Sequence, residues 1–125
     1  MKLKYVVVEK LSQTEVEAAI LRDNPTELLH AVLSAALYAE DAAWAEDVCV
    51  RLVAHEHDRV RCNAIQGFGH IARIHKQLNE VRVKPLIESA LDDPSADVRG
   101  EAEDARDEIK FRLQWRFKRK KKHRT

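Results

Sequence analysis

The chain has 125 residues and a mass of 14.4 kDa, the size of one domain. Hydrophobic residues make up 45%, a globular share, whereas charged residues reach 34% and aromatics only 6%. With 3 Gly and 3 Pro there are too few breakers for a turn-rich all-β chain, and no apolar run approaches a membrane span. Long helices and no membrane partner are therefore expected. Two cysteines cannot make a disulfide framework. Met1 to Leu11 holds just the short apolar run Tyr5 to Val8, closed by Glu9 and Lys10, so no secretory signal is expected and the expected compartment is the cytoplasm.

Residues 1–11 read as an amino-terminal arm whose β-branched run suits a strand, a loose arm or a helical lead-in. From Ser12 onward apolar residues recur at helical spacing. Ser12-Gln13-Thr14-Glu15 fits a capping box and opens a short helix with Val16, Ala19 and Ile20 on one face. Asn24-Pro25-Thr26-Glu27 predicts a second start, with Asn24 as cap, Pro25 in the first turn and Glu27 completing the box. That helix carries Leu28, Leu29, Val32, Leu33, Ala36 and Leu37 inward. Asp41 is expected to cap a third helix, with Ala45, Val48, Cys49 and Leu52 inward. Asp58 is expected to cap a fourth, with Val60, Ala64, Gly67, Ile71 and Leu78 inward. A fifth spans Val81 to Leu91 and contains Pro85, and Asp92-Asp93-Pro94-Ser95 forms a turn. The sixth starts near Ala96 or Asp97 and buries Val98, Ala102, Ala105, Ile109 and Leu113.

A shift of 38 residues lays the chain on itself. Val48 falls on Leu86, Cys49 on Ile87, Val60 on Val98, Arg61 on Arg99, Ala64 on Ala102 and Ile71 on Ile109. One amphipathic hairpin cannot bury its own apolar face, so repeated hairpins stack. Thr14 to about Tyr38 supplies a third, degenerate hairpin at the amino end. The residues Asp58-x-Val60-Arg61-x-x-Ala64 and Asp97-Val98-Arg99-x-x-Ala102, with Pro85 in a first helix and Asp93-Pro94 in a turn, resemble HEAT repeats over about Asp41 to Phe111. The resemblance implies an all-α, HEAT-like solenoid of about three antiparallel helical hairpins, with a proline-bent first helix and an inward arginine. Gly69-His70-Ile71-Ala72-Arg73-Ile74-His75, with Trp44 upstream, also looks like small stand-alone bacterial HEAT-like proteins. Some of that size and fold are immunity proteins that neutralise a cognate toxin in contact-dependent growth inhibition. The resemblance thus implies a toxin–antitoxin type of partnership.

Charge is distributed unevenly. Arg116, Lys118, Arg119, Lys120, Lys121, Lys122 and Arg124 are seven basic residues with no acid among them, and residues 118–125 form a basic tail to a domain over 12–117. Without those seven the body carries 15 basic residues against 21 acids, a net charge of −6. Such a body attracts basic partners and repels nucleic acid, and the tail does the opposite. Glu101, Asp104, Asp107 and Glu108, with Glu103, cluster on the sixth helix beside Phe111 and Trp115, which at a spacing of four would stack. Together they make a candidate surface for another protein, such as a basic toxin domain. The plainer alternatives are a solvated face balanced by Arg99, Arg106 and Lys110, and aromatics that pack against the fifth helix or close the open end.

The other clusters point to no chemistry. Cys49, His55, His57 and Cys62 match no zinc spacing, and Cys62 falls away from its helix's apolar stripe. No metal, cofactor or catalytic set is expected, and so no enzyme. Gly67-Phe68-Gly69 lies within a helical pattern and lacks a phosphate loop's context, so close helix approach is its simplest use. Arg61 and Arg99 should bond carboxylates or carbonyls of a neighbouring hairpin. Two function classes remain: a non-enzymatic protein-binding module of the immunity type, or a nucleic-acid binder using Arg116, Lys118 to Lys122 and Arg124.

Overall fold

The computed structural model describes residues 7–118, and six helices with no strand make up that span. They are α1 (Gln13–Arg22), α2 (Pro25–Tyr38), α3 (Ala42–Leu52), α4 (Asp58–His75), α5 (Glu80–Ala90) and α6 (Ala96–Leu113). They pair as three hairpins, α1/α2, α3/α4 and α5/α6. Residues 1–6 of the expected arm and 119–125 of the expected tail lie outside the described residues.

Local chemistry sets the helix starts. Ser12 and Glu15 form the reciprocal capping box, and Asn24, Asp41, Asn79 and Ser95 each accept a backbone N–H through a side-chain oxygen. Two expected starts differ in detail. His57, not Asp58, caps α4, because its Nδ1 accepts the Arg59 N–H and leaves Asp58 to accept from the Ser95 hydroxyl. Glu27 does not close a box on Asn24, because Arg22 takes its carboxylate at 2.5–3.0 Å. The α4 helix stops at His75, where Lys76 turns left-handed (φ 56°), so Leu78 is half-buried in a loop instead of extending the helix.

The repeat is visible in these caps. Asp41 and Asn79 start helices of 11 residues, His57 and Ser95 start helices of 18, and both pairs are 38 residues apart. The first hairpin is shorter, with helices of 10 and 14 residues.

The hairpins stack in two unequal layers. The backbones of α2, α4 and α6 lie side by side, with α4 in the middle. Small residues allow this. A Cβ on Gly67 would meet Cys49 Sγ at 2.6 Å and Ala36 Cβ at 3.3 Å, and Gly69 faces the Ala105 backbone. The close approach expected at Gly67 is thus present. The core between the layers is apolar, with Val16, Leu28, Val48, Ile65, Phe68, Ile71, Ile87 and Ile109 fully buried. Each such side chain contributes roughly 1.5–3 kcal/mol by leaving water.

The other layer, α1, α3 and α5, is joined by longer polar side chains. Glu17 of α1 accepts from Arg51 and from Trp44 Nε1 of α3, and Glu46 and Asp47 of α3 receive Asn79 N–H and Arg82 of α5. Arg51 and Trp44 hold the Glu17 carboxyl down at about pKa 2. The turns are pinned as well: His55 Nε2 meets Asp23 at 2.8 Å, and Arg61 grips Asp93 with two bonds of 2.9–3.0 Å.

Candidate functional site

The α4 and α6 helices carry matching exposed stripes. Arg59, Asn63, Gln66, His70 and Arg73 recur along one face of α4. The 38-residue shift places them on Asp97, Glu101, Asp104, Glu108 and Phe111 of α6. Because the two helices pack side by side, the stripes become the walls of a groove, one with basic and neutral polar groups, the other acidic for four of its five positions. One part of it is a depression of about 180 Å³ lined by Gln66, Gly69, His70, Arg73, Glu101, Asp104, Ala105 and Glu108. Toward the start of α6 the groove continues between Arg59 and Asn63 on one side and Asp97 and Glu101 on the other.

The acids are not neutralised from across the groove. Glu108 bonds Arg112 on its own helix at 2.7 Å, whereas Asp97, Glu101 and Asp104 form no ion pair among the described residues. Partial burial, then the charges of Asp104 and Asp97, push the Glu101 carboxyl above its usual value against the pull of Arg59. Burial and the Arg73 charge hold His70 below its usual value despite Glu108, which favours the neutral imidazole. Its Nδ1 lies 3.0 Å from Arg73 Nη2. The groove is open along its length and edged by charged groups, unlike the enclosed, mostly apolar cavity that holds a small ligand. It suits side chains projecting from another surface.

The residues singled out from the sequence fall in three places. Glu101, Asp104 and Glu108 come together in the groove. Asp107 lies off that stripe, beside Arg106 at 3.2 Å on the outer face of α6. Phe111 stands 74% exposed at the carboxyl end of the acidic stripe, with Arg112 over its ring. Trp115 does not stack on Phe111, because α6 ends at Leu113 and Gln114 turns left-handed (φ 61°). The chain then doubles back along α5: Trp115 and Phe117 pack on the core 6.1 Å apart, Lys84 lies over Phe117, and the Lys118 N–H bonds Glu88. This strap covers the third hairpin along α5 and leaves the outer face of α6 open among the described residues. Arg116 and Lys118 face outward on it, and Arg119, Lys120, Lys121, Lys122 and Arg124 lie outside the described residues.

The α4 wall was not singled out from the sequence. Its signal was available in the same 38-residue shift, which sets Gln66 on Asp104 and His70 on Glu108. Cys62 also differs from expectation. It is buried, because α6 covers the side of α4 that the helix's own stripe leaves open. Burial raises the Cys49 and Cys62 thiols above their usual value, which disfavours thiolate chemistry. Among the described residues no group of three or more His, Cys, Asp or Glu is placed to hold a metal, and no helix is long and apolar enough to cross a membrane.

No protein-family model matches the chain, and no curated protein gives a significant match. Among solved structures, the fold is similar to that of a chain in the crystal structure of a CDI complex from Cupriavidus taiwanensis LMG 19424. The TM-score is 0.76 at 24% identity, and the match covers 88% of this chain and 97% of that one. At that identity the likeness is one of fold.

Proposed function

We propose that this protein is a non-enzymatic, HEAT-like immunity protein that binds a protein toxin in the α4–α6 groove. The observation that carries the reading is the near-complete overlap of its fold with a chain of a CDI complex. The electrostatics favour the same reading. Among the described residues Asp97, Glu101 and Asp104 lie unpaired along one wall, and burial, then the charges of Asp104 and Asp97, raise the Glu101 carboxyl, so a lysine or arginine from a partner offsets both as it binds. The shallow groove is suited to side chains from a broad surface. Phe111 adds an apolar contact at its end. The aromatics just before the tail, Trp115 and Phe117, are engaged with the core and Lys84, which removes the stacking platform that a single-stranded nucleic acid would use there.

Affinity capture with the immobilised protein from a lysate of its native host tests this. The reading expects a basic protein to be retained at low salt, lost progressively as salt rises, and lost by the Glu101→Gln/Asp104→Asn variant of unchanged helix content. Retention of no protein at any salt, or equal retention by the neutralised variant, contradicts it.

A further inference from the structure

The repeat equivalence exposes a second feature, on the open end of the third hairpin and away from the groove. Arg61 and Arg99 occupy the same position, 38 residues apart, in α4 and α6. Each uses Nη1 in the same way. Arg61 donates to the carbonyls of His55 and Glu56 at 2.9 and 3.0 Å, and Arg99 donates to those of Asp93 and Pro94 at 2.7 and 3.1 Å. Both guanidinium groups are therefore held by their own turn, in one register. They differ on the other side. Arg61 directs Nε and Nη2 at the Asp93 carboxylate of the following hairpin, at 3.0 and 2.9 Å. No hairpin follows α6 in the described structure, and Nε and Nη2 of Arg99 have no hydrogen-bond partner among the described residues.

We infer that Arg99 is a preformed receptor for a carboxylate side chain on a turn of a partner protein, which takes the place that Asp93 takes against Arg61. The guanidinium is already oriented and half-buried, so little rotamer freedom is lost on binding. Its two free N–H groups match the paired geometry that carboxylates favour. The surroundings fit a polar contact. The positions that α4 fills with Ile65, Phe68 and Ala72 are Glu103, Arg106 and Lys110 on α6, so a further apolar hairpin cannot stack there, whereas a hydrated protein turn can. This contact is independent of whether the acidic groove receives a toxin.

The probe is a nine-residue peptide copying residues 89–97 of this chain, which carries the Asp93 turn. It is titrated into the isotopically labelled full-length protein while the arginine Nε–Hε resonances are followed by NMR. The Arg99 resonance is expected to move downfield and saturate, with Arg61 unmoved. The same peptide with Asn in place of its Asp93 equivalent binds roughly tenfold or more weakly, the size of a lost charge-assisted pair. Arg99→Lys retains a charge without the fork, and in that variant the backbone amide resonances of residues 93–99 no longer show a saturable shift with the peptide. A silent Arg99 resonance, or equal response to the Asp and Asn peptides, overturns the inference. An equal response to sodium acetate at the same concentration overturns the claim that a protein turn is the ligand. The Asn-peptide arm uses the unmodified protein, so its outcome does not depend on how well a variant folds.

Discussion

The α4 and α6 helices have the same length and the same place in the repeat, yet they live in different surroundings. The α4 helix is covered on both sides, by α2 and by α6, and the side it turns to α6 is apolar: Ile65 and Phe68 are fully buried and Gly69 and Ala72 fill the closest approach. Among the described residues the α6 helix is covered on one side only. Its equivalent positions are Glu103, Arg106, Asp107 and Lys110. The same backbone unit is thus written once as an internal rung and once as a terminus. The groove face teaches the complementary lesson. There both helices are open, and charge distinguishes them, with Arg59 and Arg73 facing Asp97, Glu101, Asp104 and Glu108. Stacking order dictates the first contrast. Nothing in the folding of a solenoid demands the second, which is why it is the better guide to function.

The contrast can be broken most severely at its buried member. Phe68→Ala should cost about 3–5 kcal/mol in chemical denaturation, because it empties a fully buried site. Arg106→Ala, the same substitution at the equivalent place, should change stability by less than about 0.5 kcal/mol. Glycine gives the next test, and the sign is expected to invert. Gly67→Ala drives a Cβ to 2.6 Å from Cys49 Sγ and should destabilise by about 1–3 kcal/mol, partly recovered when Cys49→Ala is added. Gly100→Ala meets nothing within 4 Å and should stabilise by about 0.4–1 kcal/mol, seen as a raised Tm.

A smaller effect sharpens the comparison between layers. The α2/α4/α6 layer is held mainly by apolar contact, whereas α1 and α3 are joined through Glu17. Because Arg51 and Trp44 depress that carboxyl from 4.5 to about 2, its contribution is complete above its unfolded value and disappears as pH falls from about 5 to 2. The pair is well exposed, so Glu17→Gln should cost no more than about 1 kcal/mol at pH 7 and nothing at pH 2 in urea melts. In the groove the sign is set by Glu101. Its carboxyl is raised in the free protein, and a bound cation would lower it again. Affinity for a basic partner should therefore fall as pH drops through the acid range, a fall that Glu101→Gln removes.

The sequence made the elements legible because their signals are local. Ser12 with Glu15, Asn24 before Pro25, and Asp41 each act within one helical turn, and the 38-residue shift reappears in the helix caps. The failures come where a distant residue decides. Arg22 takes Glu27 from the expected capping box, Ser95 engages Asp58 while His57 caps α4, and α6 buries Cys62. At the candidate site, the acids of α6 were legible as a charge cluster, but their opposition to Gln66, His70 and Arg73 depends on how two hairpins stack. The spacing of Trp115 from Phe111 predicts a continuation of α6, and the left-handed Gln114 that turns it inward carries no strong sequence mark.

Growth protection tests the central claim most directly. The basic protein retained in the capture experiment is expressed in a bacterial host with either this chain or its Glu101→Gln/Asp104→Asn variant. The account predicts that the basic protein alone arrests growth, that the unaltered chain restores it, and that the variant, at equal expression and helix content, does not. Equal protection by both, or no protection by the unaltered chain, would contradict a toxin-neutralising role for the acidic groove.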